Sequence, residues 1–103
     1  MLFNERQVKI IEKATQFLIK EIGLTQEQSM KLIAEGINNE LAKRETTMEK
    51  IVNSHRSVQI SFVQDVTREI HRRIAGKTSH SAVELTQIVE RFKRILDEIW
   101  AFN

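Results

Sequence analysis

Leu85-Thr86-Gln87-Ile88-Val89-Glu90-Arg91-Phe92-Lys93-Arg94-Ile95-Leu96-Asp97-Glu98-Ile99-Trp100-Ala101-Phe102 is the stretch that decides the fold. Leu85, Ile88, Phe92, Ile95, Ile99 and Phe102 alternate steps of three and four, the period of one helix face. Val89, Leu96 and Trp100 widen that face beyond a two-helix seam, so the helix needs two neighbours. Ser81 with Glu84 supplies a capping box at its start, and the spacing predicts a helix over 82–101.

Upstream, Lys77-Thr78-Ser79-His80 makes a polar turn after Gly76. Before it, Met48, Ile51, His55, Val58, Phe62, Val66, Ile70 and Ile74 trace one stripe, which predicts a long central helix over 47–75, about 45 Å at 1.5 Å per residue. Thr46 and Glu49 form its expected cap, although no glycine or proline separates it from the segment before. That segment, 26–45, opens on the capping pair Thr25 and Gln28 and carries Met30, Ile33, Ile37 and Leu41, with Gly36 as its weak point. The first helix, 5–22, is capped by Asn4 with Gln7 and carries Val8, Ile11, Ala14 or Thr15, Leu18 and Ile22. Gly23 suits its left-handed end, with Leu24 folding back on the last turn.

The fold class expected is therefore all-α: a single domain over 1–103, with three to four helices in a bundle around a long central helix. A helix that long in so short a chain leaves apolar surface at its ends, so oligomerisation is expected to complete the bundle, with a homodimer favoured.

Composition bounds the function classes. At 103 residues, 41% apolar and 29% charged, the chain can build one core and stay soluble. Cysteine is absent, which removes disulfides, thiolate nucleophiles and cysteine metal sites and points to a cytoplasmic location. The N-terminus runs straight into charged amphipathic sequence, and no apolar stretch approaches the ~20 residues needed to span a bilayer, so neither signal peptide nor membrane anchor is expected.

The net charge of +2 arises in the second half, where eight basic side chains face six acidic ones; residues 1–50 hold eight of each. Arg68, Arg72, Arg73 and Lys77 surround Glu69 alone and form a candidate basic patch for phosphate or an acidic protein.

Chemistry-bearing patterns are sparse. His55, His71 and His80 lack the spacing of a metal site, and His55 falls on the apolar stripe as an expected core or interface histidine. Ser54, His55, Ser57, Ser61 and Asp65 share a helical stretch with neither a nucleophile turn nor an oxyanion hole. Gly76-Lys77-Thr78 lacks the upstream glycine of a phosphate loop. No catalytic, metal or cofactor residue is assigned, and enzyme activity is not expected.

Two DNA-binding patterns are present in outline. Gly23 to Gln28 with Gly36-Ile37-Asn38 resembles the opening and turn of a helix-turn-helix, but the glycine falls about two residues late and Leu32 stands where a small residue is needed. Val58-Gln59-Ile60-Ser61-Phe62 alternates like the strand of a ribbon-helix-helix repressor, with Gln59, Ser61 and Arg56 towards the groove. The expectation is a non-enzymatic interaction or regulatory module that self-associates and docks an unidentified protein partner. Its candidate interface is Leu85, Ile88, Phe92, Ile95, Ile99, Trp100 and Phe102. The alternative is a dimeric DNA-binding transcriptional regulator, in which nucleic acid is the partner.

Overall fold

The computed structural model describes residues 3–102, with side chains from Phe3 to Trp100. Five α-helices follow in order: α1 (Glu5–Ile22), α2 (Gln26–Lys43), α3 (Met48–Val52), α4 (Arg56–Ile74) and α5 (Ala82–Asp97), which runs into a terminal 3-10 helix (Glu98–Phe102). No strand occurs among the described residues.

Three helix starts lie where the sequence sets them. At Asn4, Thr25 and Ser81 the cap side chain accepts from the backbone N–H three residues on, and Gln7, Gln28 or Glu84 reaches back to the cap's own N–H. Gly23 closes α1 at φ +84, a left-handed conformation in which a Cβ is strained, while its N–H bonds the Ile19 carbonyl.

The long central helix is the main correction. It is divided into α3 and α4, and the cap of α3 is Thr47 rather than Thr46. Asn53 Nδ2 and Ser54 Oγ donate back to the carbonyls of Glu49 and Lys50, ending α3 with side chains in place of a further helical turn. His55 is then extended at ψ 149 and caps α4 through Nδ1, which accepts from Ser57 N–H at 3.2 Å. It is exposed, not a member of the apolar stripe. Gln59 is buried beneath the break and donates through Nε2 to the Val52 carbonyl at 2.9 Å, tying the end of α3 to α4.

α1, α2, α4 and α5 form a ring in which each packs on the next and α5 returns to α1. Ion pairs set the directions. Glu35 meets Arg73 while Arg44 meets Asp65, so numbers climb on α2 as they fall on α4. Likewise Lys13 meets Glu98 and Glu21 meets Arg91, which makes α1 and α5 antiparallel. The result is a four-helix bundle, with α3 packed against α4 beside the α2–α4 connection.

The C-terminal stripe lines its core. Leu85, Ile88, Phe92 and Ile99 are buried, and Ile95 is half-buried against the cluster that holds Phe92 and Ile99. Trp100 keeps only 7% of its surface and meets Phe62 edge-on at 6.2 Å. The stripe of α2 is rotated from its expected position, because Ser29 and Gly36 turn inward while Met30 lies at the edge, 51% exposed. Gly36 is a point of close approach of α2 to α4. A Cβ there would lie 3.2 Å from Ile70 Cγ1 and 3.4 Å from Val66 Cγ1. The accessible area, 6382 Å², is near the roughly 6000 Å² of a folded monomer of this mass. One chain thus covers its own core.

Candidate functional site

The proposed basic patch lies on α4 and just past its end, and the structure gives its members different work. Arg73 spans the α2–α4 seam, with Nη1 on Glu35 at 2.7 Å and Nε on Glu69 at 3.0 Å. Arg72 binds the same Glu69 at 2.7 Å, and Arg68 binds Asp65 at 3.1 Å. One turn along, Arg44 at the C-cap of α2 joins Glu40 at 2.9 Å to Asp65 at 2.8 Å, with its guanidinium 5.6 Å from the centre of the Phe62 ring. Sequence reasoning missed Arg44, because its partner Asp65 lies on another helix and comes within reach only once α2 and α4 are antiparallel.

These contacts set the ionisation of the ladder. Hydrogen bonds from Arg72 and then Arg73 hold the Glu69 carboxyl below its ordinary range, while Glu35 and then Glu69 raise Arg73. Arg44 is raised chiefly by its hydrogen bond to Glu40, with burial opposing and Asp65 adding. The ladder is charged and internally paired, so Arg73 and Arg44 act as ties between helices.

A groove of about 640 Å³ lies elsewhere, along the outer α1–α2 seam. Phe3, Val8, Ile11 and Met30 supply its apolar lining, and Lys9, Glu12 and Gln16 are among its polar residues. Val8 and Ile11 are only half-buried, because their ridge on α1 turns away from α5 and is not closed over by α2.

Of the predicted interface residues, Leu85, Ile88, Phe92, Ile99 and Trp100 are covered by this chain's own helices. The Phe102 side chain lies outside the described residues. The three histidines are not brought together as ligands. His55 caps α4, His71 is half-buried on α4, and His80 shares a 2.7 Å hydrogen bond between Nε2 and the Glu21 carbonyl near the end of α1. No group of three or more metal-ligating side chains occurs among the described residues.

Both DNA-reading architectures are corrected. Residues 58–62 are helical within α4, so no ribbon forms, and Gly36 lies inside the continuous α2, so no turn follows it. No helix among the described residues is long and apolar enough to cross a membrane. No family model, curated protein or solved structure matches the chain.

Proposed function

We propose that this chain is a non-enzymatic helical interaction module of the cytoplasm that docks a protein partner, a second copy of itself included, through the outer α1–α2 groove. The groove is the observation that carries the reading. It is large enough for side chains of a partner helix, it presents Val8, Ile11 and Met30 to solvent, and polar residues flank it. The covered C-terminal stripe moves the docking surface from α5 to α1 and α2.

The test is sedimentation velocity from low to high micromolar protein, on the native chain and on Val8→Glu/Met30→Glu. A concentration-dependent dimer that disappears in the variant, with helical content retained, supports the reading. A native chain that stays monomeric throughout sinks the self-association, and a dimer indifferent to both substitutions removes the groove from it.

A further inference from the structure

The α2–α4 seam has a layered charge distribution. Its carboxylates are less exposed than its outer bases: Glu40 and Glu69 are 11% and 13% exposed, Asp65 and Glu35 32% and 39%, and Arg44 and Arg73 engage all four. Outside them, Arg68 and Arg72 are 70% and 72% exposed, and Lys43 of α2 faces both across a cleft of about 300 Å³. Lys77 continues the row past the end of α4, beside Arg73. Arg68 and Arg72 are the more exposed charges of this cleft, and Glu40, Asp65 and Glu69 also line it.

We propose that this outward row, Lys43, Arg68, Arg72 and Lys77, is a docking surface for the phosphodiester backbone of a nucleic acid. The inference goes beyond the groove reading and uses a different face. Arg72 holds Glu69 through Nε and Nη2, which leaves Nη1 for an outside acceptor, and Arg68 commits only Nη1 to Asp65. Phosphate oxygens are acceptors of the kind such half-used guanidinium groups bind. Ser57, Ser61 and Gln64 lie exposed on the same ridge of α4, a helix about 28 Å long.

The polarity of the face selects the class of partner. Protein interfaces need an apolar centre, whereas nucleic-acid interfaces are polar, wet and cationic. The exposed large apolar side chains lie off the row: Met30 lines the α1–α2 groove, Val83 begins α5, and Ile60 sits about 80° around α4 from Arg68. Contacts of this kind follow the backbone and do not read bases, so binding is independent of sequence.

Fluorescence anisotropy with a labelled duplex DNA of about 20 base pairs tests this, titrating salt from about 50 to 200 mM. Four phosphate contacts predict a slope of log K against log salt of about −3.6. Lys43→Gln/Arg68→Gln/Arg72→Gln/Lys77→Gln should abolish binding, because Asp65 and Glu69 keep Arg44 and Arg73 as partners and the fold survives. If that variant does not fold, Lys43→Glu/Lys77→Glu carries the test, since neither lysine belongs to the ion-pair ladder. Lys20→Gln on α1 should bind as the native chain does. Absence of binding at about 50 mM salt overturns the proposal. Equal loss in the α1 control overturns it too, as does equal affinity for polyglutamate, which assigns the face to acidic polypeptides instead.

Discussion

Replacing Thr67 by valine should stabilise this protein. Thr67 lies in the middle of α4 with 3% of its surface exposed, and its Oγ1 is buried without a hydrogen-bond partner. Valine matches threonine in shape, and the two have similar helix propensity, so the substitution removes a hydroxyl and little else. Leaving a buried hydroxyl unpaired costs about 1–3 kcal/mol, and losing it should return about 1–2 kcal/mol. For a domain of this length each kcal/mol raises the melting temperature by roughly 4–8 °C.

The measurement is urea denaturation followed by circular dichroism. The midpoint should rise by roughly 1 M at unchanged slope, since the surface exposed on unfolding is the same. Ser29→Ala is the companion, because Ser29 Oγ is equally buried and unpartnered and alanine adds helix propensity. A Thr67→Val protein that is unchanged or weaker would refute the reasoning: the hydroxyl would then be satisfied in solution, by a buried water or by bonding back along α4.

Glu45 holds φ +52 at the end of α2, where Thr46 N–H bonds the Leu41 carbonyl and Glu45 N–H bonds Ala42; Glu45→Gly should raise stability by about 0.5–1 kcal/mol in the same assay, and a decrease would show that the left-handed backbone carries no strain. Gly36→Leu should cost about 1–3 kcal/mol by forcing α2 from Ile70, and a neutral result would show that the seam has slack. Trp100→Ala should cost about 3–5 kcal/mol in chemical denaturation; a shift under about 1 kcal/mol would show the last turn frayed in solution. Ser81 hydrogen bonds hold the Glu84 carboxyl below its ordinary value of 4.5, so that part of the stability is present above this pH and is lost as pH falls through the lower folded value. Ser81→Ala should lower stability by about 1 kcal/mol near neutrality and flatten the acid limb between those values; an unaltered limb would show that the cap does not set Glu84 ionisation.

The helix ends were legible wherever a local signal fixes them. Asn4 with Gln7, Thr25 with Gln28, Ser81 with Glu84, and Gly23 each act within one turn, and the structure forms all four. The break at Asn53-Ser54-His55 was not, because Ile51 and Val58 face one core from both sides of it and preserve the heptad step. The polar trio was the available signal. Residues 58–62 show the opposite failure, an alternation that holds in sequence and reverses in space: Gln59 is buried where it bonds the end of α3, while Ile60 is 44% exposed. The candidate site was legible only as basic residues. Which arginines tie helices together and which face outward depends on carboxylates of α2, far away in sequence.

The same break accounts for the covered C-terminal stripe. A continuous rod over 47–75 would extend about 45 Å beside 18-residue neighbours of about 27 Å, and its overhang was the reason to expect a second chain. Folding the rod at 53–55 leaves an α4 of 19 residues, matched in length to α1 and α2, and places Met48 and Ile51 of α3 within the core. α1 and α4 then supply the two neighbours that α5 requires, and the demand for a partner at that seam is met internally. What remains uncovered follows from α2. Because Ser29 and Gly36 take the inward positions, Met30 is rotated out beside Val8 and Ile11 on α1, so apolar surface is left on the outer α1–α2 seam. Both proposed docking faces therefore border α2: a small residue at Gly36 lets it press against α4, drawing the arginine ladder together on one side, while the Met30 edge stays open on the other.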